Sequence, residues 1–362
     1  MLSPRAAIRS VPAYHPPLAG REGLRLDFNE NTVGCSPRVL ARLRTFTGED
    51  LARYPEREPV ERKLAEFLGV SPSELLLTNG VDEAIHLLCQ TYLGPGDEAL
   101  IVQPTYSMYR NYMTAAGANV LSVSSGPDFE FPVQDLLACV SPRTRLIAVA
   151  NPNNPTGTVA AQQDLLSIAR SAAEAALLVD EAYFEFYGES LLSTRGECPN
   201  LFVARTFSKT YGMAGLRVGV LVGDAEQMAT VRRVASPYNV NAVALACLPE
   251  ALADQDYVRE YVSEVRDSRS RLEQALQECC IRFWPSQANF VLLRVGSTHV
   301  LSSAFVDCMR QRGILVRDRS GDHGCEGCVR ITVGSREHTD RLLVALHESV
   351  EELGLTQGAT RA

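Results

Sequence analysis

Leu146-Ile147-Ala148-Val149-Ala150, a helical pattern over 162–173, then Ala176-Leu177-Leu178-Val179: this stretch decides the fold. Each apolar run is strand-length, and neither alternates with polar residues, so both faces of each strand must be covered. Working outward, further strands are expected at 75–78, 99–102, 118–123, 201–204 and 218–222. Helical patterns separate several of them. Over 82–93, Ile85, Leu88, Cys89 and Tyr92 recur at the spacing of one helix face, and Gly94-Pro95-Gly96 ends the pattern. Another helix is expected at 133–140. Short apolar runs separated by helices predict an α/β fold with a mainly parallel sheet flanked by helices, allowing one irregularity in strand order.

Beyond Asp224 the texture changes. Long amphipathic helices are expected at 226–234, 243–253 and 257–278, with strands at 288–295 and 328–333 and helices at 300–312 and 336–352. This reads as a second, smaller α+β domain. The expected division is a large domain at 30–240 and a small one built from 1–29 and 241–362.

The chain has 362 residues, 46% of them hydrophobic, so it needs no staple to build a core. Its net charge is −8, from 35 Lys and Arg against 43 Asp and Glu, with no basic block. That argues against a nucleic-acid partner. No apolar run approaches the roughly 18 residues that span a bilayer. Met1-Leu2-Ser3-Pro4-Arg5 opens a stretch broken by Arg and Pro, without a signal-peptide core. The expected location is cytoplasmic, with no membrane partner. There the ten cysteines should be thiols. His323, Cys325 and Cys328 have metal-like spacing, but a closed zinc site needs four ligands and no second C-x-x-C exists, so no metal is expected.

Four loops that follow strands carry unusual residues, and in an open α/β sheet such loops converge. Asn79-Gly80-Val81-Asp82 opens a helix. It is either a phosphate cradle of backbone N–H groups or an ordinary cap with Asp82 at the helix start. Asn151-Pro152-Asn153-Asn154-Pro155-Thr156-Gly157 is more polar than a turn requires. Asp180 closes an apolar run and needs a partner there, as a helix cap or as the counter-ion of a bound cation. Arg205-Thr206-Phe207-Ser208-Lys209-Thr210 sets a lysine among hydroxyls, with Arg217 eight residues on. The glycines of a P-loop or a dinucleotide fingerprint are missing. One ligand satisfies the whole set: pyridoxal 5'-phosphate has an aldehyde for lysine, a pyridine nitrogen for aspartate and a phosphate for arginine and the helix start.

With these residues the chain resembles the class I/II, fold type I, pyridoxal-phosphate-dependent aminotransferases over nearly its whole length. The motifs run from Leu26-Asp27-Phe28-Asn29-Glu30-Asn31 to Val329-Arg330-Ile331-Thr332-Val333-Gly334. Asn154-Pro155-Thr156-Gly157 and Ser208-Lys209 with Gly215-Leu216-Arg217 carry the family resemblance. Arg53-Tyr54-Pro55, Pro104-Thr105-Tyr106 and the stretch 317–330 point to its histidinol-phosphate branch. Thr32 stands where that opening motif usually has proline.

The resemblance implies a seven-stranded sheet and a set of roles. Lys209 matches the lysine that forms a Schiff base with the cofactor. Asp180 matches the carboxylate that keeps the pyridine nitrogen protonated. Tyr183 and Asn154 match donors to the ring's phenolic oxygen, and Tyr106 should stack on the ring. The backbone of Val81 and Asp82, with Thr206, Ser208 and Arg217, should hold the cofactor phosphate. Tyr54 should reach that phosphate from the partner subunit of a homodimer. Arg330 should bind the substrate anion, with Arg317 and Tyr14 as further contacts. A half-buried ring with a polar tip would account for Tyr54 and Tyr14 equally well. The implied reaction moves an amino group between L-histidinol phosphate and 2-oxoglutarate, forming glutamate, in histidine biosynthesis. An aromatic aminotransferase, a decarboxylase of a phosphorylated amino acid and an inactive cofactor-binding protein stay open as alternatives.

Overall fold

The structure is a computed structural model that describes residues 2–9, 11–13, 20 and 22–355. Tyr14 lies outside the described residues. A first short strand, β1 (Leu24–Arg25), precedes a seven-stranded sheet of β2 (Leu75–Thr78), β3 (Glu98–Gln103), β4 (Asn119–Ser124), β5 (Thr144–Ala150), β6 (Ala176–Asp180), β7 (Leu201–Thr206) and β8 (Gly219–Val222). The spatial order is β2-β8-β7-β6-β5-β3-β4. Neighbours from β7 to β4 are parallel. One strand departs from parallel: β8 runs antiparallel to both β7 and β2.

Successive residues serve opposite faces. Leu177 and Val179 pack into one core cluster, while Ala176 and Leu178 pack into the other. A strand covered on both faces has no reason to alternate with polar residues, hence the unbroken apolar runs. The chain-order reversal falls between β5 and β3, the switch point at which ligand crevices form in open α/β sheets. The loops there are tied together. Thr105 Oγ1 donates to Asn153 Oδ1 at 2.9 Å, and Asn153 Nδ2 donates to the Pro104 carbonyl at 2.9 Å.

The C-terminal part forms β9 (Arg282–Trp284), β10 (Phe290–Arg294), β11 (Ile314–Leu315), β12 (Arg317–Asp318) and β13 (Cys328–Thr332). Four of these make an antiparallel sheet, β12-β13-β10-β9, while β11 pairs with β1 in parallel. The segment after β1 is laid along β13. Thr332 N–H donates to the Leu26 carbonyl at 2.8 Å, and Asn29 N–H donates to Thr332 Oγ1 at 3.0 Å. This carries Asp27, Phe28 and Asn29 to the mouth of the large sheet.

The long helices fall where periodicity predicts them, Arg336–Glu352 among them. Several elements carry too little pattern to be read from sequence. Strands β1, β11 and β12 have two residues each. The helix Met108–Ala116 buries only Tyr109 and Met113. Among the described residues no helix is long and apolar enough to cross a membrane.

Candidate active site

A cavity of about 300 Å³ opens at the carboxyl ends of the parallel strands, and of the predicted site residues among the described ones it gathers all but Tyr54. Because β8 runs backwards, Arg217, which precedes it, lies at the same end as the loops that follow β5, β6 and β7.

Asp180 ends β6 and is buried. Its Oδ2 accepts from the Tyr109 hydroxyl at 2.6 Å, and its Oδ1 accepts from the Ala182 N–H at 3.1 Å. It caps no helix, since the next one starts at Phe184. Burial pushes its carboxyl up to about 6, against the lowering effect of the Tyr109 bond. A buried carboxylate with so few donors calls for a cation beside it.

Lys209 Nζ donates to the Phe28 carbonyl at 3.0 Å. Burial, reinforced by the positive charge of Arg330, lowers its amine to about 8. A neutral amine, the nucleophilic form, is therefore accessible near physiological pH. Tyr183 lies close by, its ring centroid 6.0 Å from Nζ, and its hydroxyl accepts from Asn29 Nδ2 at 2.9 Å.

The anion cradle is assembled around Gly80. The helix Gly80–Tyr92 begins two residues before the expected start at Asp82, with Asn79 at the cap position. Gly80 has φ 73°, and a Cβ there would fall 2.6 Å from Arg217 Nη2, so only glycine admits this approach. Arg217 Nη2 lies 3.3 Å from Asp82 Oδ2, and Asp82 Oδ1 accepts from the Tyr106 hydroxyl at 2.9 Å. Thr206 and Ser208 join the cradle through a 2.9 Å hydroxyl bond. Arg217 itself has φ 55°, and Asn29 has φ 54°. A bulky residue holds that conformation only where its surroundings enforce it, and such residues cluster at functional sites.

The remaining wall comes from the small sheet. Arg330 is buried, donating from Nη1 to Asn154 Oδ1 at 2.6 Å and from Nη2 to the Asp27 carbonyl at 2.7 Å. Its Nε has no partner. Burial and the neighbouring Arg319 and Arg317 lower it only to about 10, so it stays charged. Arg317 faces Arg330 across the β12–β13 pair, and its guanidinium lies 5.3 Å from the Phe28 ring centroid.

The crowd of amides after β5 sorts into two kinds. Asn151 clasps the Ala160 backbone and Asn153 ties the loops at the switch point, so both are structural. Asn154 turns to Arg330 and the cavity. Sequence reasoning missed three residues. Tyr109 sits on the unpredicted helix, three residues from Tyr106. Arg319 follows Arg317 at the spacing of one strand face, which was a usable signal. Asn29 stands inside the opening motif. Tyr54 does not line the cavity; it is 77% exposed and stacks on Tyr238, with ring centroids 4.2 Å apart. His323 bonds Ser124 Oγ at 2.8 Å, and no metal-binding cluster occurs among the described residues.

The described geometry joins an amine of lowered pKa, a buried carboxyl, a helix start beside Arg217 and a second, buried arginine. The family described as aminotransferase class I and II matches residues 21–346. The chain belongs to the class I and II aminotransferases. Among similar aminotransferases, the histidinol-phosphate aminotransferase of Paracoccus denitrificans is 35% identical over 362 residues, covering 97% of each chain. That of Caldanaerobacter subterraneus is 36% identical over 296 residues, covering 81% of this chain and 83% of the other. The crystal structure of histidinol-phosphate aminotransferase from Sinorhizobium meliloti in complex with pyridoxal-5'-phosphate has a TM-score of 0.88 and 26% identity. It covers 96% of this chain and 97% of its own.

Proposed function

We propose that this aminotransferase moves the amino group of L-histidinol phosphate to 2-oxoglutarate, giving imidazole-acetol phosphate and glutamate, with pyridoxal 5'-phosphate as cofactor. The observation that carries this reading is one cavity holding Lys209, Asp180, the Arg217 cradle and the Arg317–Arg330 pair. The residues fit the cofactor. Asp180 lacks the cation that a protonated pyridine nitrogen would provide, and the glycine at position 80 lets the Arg217 guanidinium lie against the helix start, where a phosphate would meet both. The unpartnered Nε of buried Arg330 leaves a donor for a substrate anion.

When bound, the cofactor supplies a ring that delocalises the charge left as the substrate Cα loses its proton. Lys209 would anchor that group and, as the base nearest the substrate Cα, would carry the Cα proton to the cofactor carbon. Asp180 keeps the ring nitrogen protonated, and Tyr109 holds the carboxylate in place. Tyr183 and Asn154 orient the ring oxygen, and Tyr106 covers the ring face. Thr206, Ser208, Arg217 and the N–H groups of Val81 and Asp82 hold the cofactor phosphate. Arg330, with Arg317, binds the phosphate of one substrate and a carboxylate of the other. A guanidinium fork suits both anions.

We assign a homodimer in which Tyr54 completes the partner's cofactor cradle. The exposed stack of Tyr54 on Tyr238, open to a partner subunit, supports this. We also assign residues 30–240 to a large domain and 1–29 with 241–362 to a small one, a division that the separate sheets at 75–222 and 282–332 support. A cytoplasmic location is supported by ten free cysteines. The test of the activity is a panel of amino donors with 2-oxoglutarate. Histidinol phosphate should far outpace phenylalanine in kcat/KM. Preference for phenylalanine, or release of carbon dioxide from a phosphorylated amino acid, would overturn the assignment.

A further inference from the structure

Between β12 and β13 the chain makes three consecutive tight turns. Asp322 N–H donates to the Arg319 carbonyl at 2.9 Å, Cys325 N–H to Asp322 at 3.0 Å, and Cys328 N–H to Cys325 at 2.8 Å. The last turn has Glu326 and Gly327 at its centre. Gly327 has φ 69°, as a type II turn requires at that position, and a Cβ there would collide with the Gly296 carbonyl. A β-turn brings its first and fourth Cα atoms within about 7 Å. A disulfide closes across roughly 4.4–6.8 Å between Cα atoms. Cys325 and Cys328 are thus set at disulfide span by the backbone alone.

Their side chains share one small buried cluster with Phe129, Trp284 and Leu292. The Cys328 thiol donates to the Glu326 carbonyl at 3.9 Å, and neighbouring Cys325, with the Arg294 guanidinium nearby, holds it below the ordinary cysteine range. Arg294 Nε is buried without a partner, and its Nη2 donates to the Gly324 carbonyl at 3.0 Å. A thiol beside a positive charge is the one that reacts first. Both cysteines are buried, and Glu326 in the turn between them is exposed.

We propose that Cys325 and Cys328 are a dithiol that hydrogen peroxide converts reversibly to a disulfide, and that this bond weakens substrate-anion binding through the hairpin bearing Arg317, Arg319 and Arg330. The Cys328 thiolate attacks the peroxide, the O–O bond breaks, and a sulfenic acid forms while the departing oxygen leaves as water with the thiol proton. The Cys325 sulfur then displaces the sulfenic oxygen, forming the S–S bond and a second water. Two thiols lose two electrons and the peroxide gains them; a dithiol reductant reverses the change. The coupling runs through two contacts. Arg319 N–H donates to the Cys328 carbonyl at 2.9 Å, and the Arg319 guanidinium pairs with Asp322 inside the same turns. Closing the last turn covalently holds Arg319 on Asp322 and away from a bound anion. This second half rests on the arginines being the substrate-anion site; the first half does not.

The experiment treats the cofactor-loaded enzyme with hydrogen peroxide, maps cysteines by mass spectrometry without reduction, and measures KM and kcat before and after dithiothreitol. The expected result is a Cys325–Cys328 disulfide formed before the exposed Cys139 and Cys280 oxidise. KM should rise several-fold with kcat little changed, and the reductant should restore it. The Cys325→Ala enzyme, which keeps all three arginines, should lose both the disulfide and the peroxide response of KM. Free thiols at both positions while Cys139 or Cys280 oxidise would overturn the dithiol. A disulfide with unchanged KM would overturn the coupling. Absence of histidinol-phosphate turnover in the untreated enzyme would instead count against the proposed activity and leave the mass-spectrometric result standing.

Discussion

Asp180 closes β6 of the large sheet, and Lys209 lies in the loop three residues after β7. Arg330 stands in the middle of β13 in the small sheet, and it reaches the same cavity only because residues 24–29 lie along that strand. The two walls also differ in how burial acts on them. It brings the first two groups toward neutrality, Asp180 to about 6 and Lys209 to about 8. Arg330 starts so high that the same burial leaves it charged at about 10. One wall can exchange protons at physiological pH and the other cannot. The first should therefore govern kcat and the second KM.

The strongest way to break that division is Lys209→Ala. A positioned acid–base group contributes about 10²–10⁴-fold, and loss of the anchor as well should put the fall in kcat at the upper end or beyond. The protein should still fold. The lysine's lowered pKa means that its charge opposes folding below about pH 8, and that the penalty fades as pH rises from there toward 10.5. The cofactor-free variant should thus melt no lower than the parent at pH 7, as thermal unfolding will reveal.

Asp180→Asn comes next. Losing a preorganised charge partner costs on the order of 3 kcal/mol in barrier, about a hundredfold in kcat, with KM little moved. A variant that keeps its rate and only melts earlier would return Asp180 to a structural part. Arg330→Lys tests the other wall. Lysine cannot reproduce the fork to Asn154, Asp27 and an anion, and a charged hydrogen bond contributes about 1.5–3 kcal/mol. KM for both substrates should rise roughly tenfold to a hundredfold, with cofactor absorbance intact. A fall in kcat alone would erase the distinction between the walls.

The smallest effects sharpen the comparison by locating where the walls touch. Cofactor association with the free enzyme should rise with pH through about 8, as Lys209 loses its proton. In Arg330→Gln the midpoint should move upward, because one of the positive charges holding it down is gone; an unmoved midpoint would mean that the walls are electrically independent. Tyr109→Phe removes a bond that lowers the Asp180 pKa. The carboxyl should then titrate higher in the cofactor-free protein, read by infrared spectroscopy, with only a modest loss of rate.

What could be read in advance follows the same line. Local runs such as Ala176–Asp180 announce both the strand and the charge at its end, so the large sheet and its loops were legible. Asn154 could be singled out from Asn151 and Asn153 only through the family resemblance, since all three look alike until the loop folds. Tyr109 was hidden because Met108–Ala116 buries two side chains, too few to make a periodic face. The bond between Asn29 and Thr332 spans 303 positions, and no window of sequence contains both. The reversal of β8, which brings Arg217 to the right end of the sheet, is likewise a matter of topology rather than pattern.

The central claim is that Lys209 is the residue to which the cofactor is joined. Reducing the cofactor-loaded enzyme with borohydride, digesting it and sequencing the labelled peptide tests this directly. The label should lie on Lys209, in Phe207-Ser208-Lys209-Thr210, and Lys209→Ala should take up none. A label on Lys63, or on no lysine at all in an active enzyme, would contradict the account.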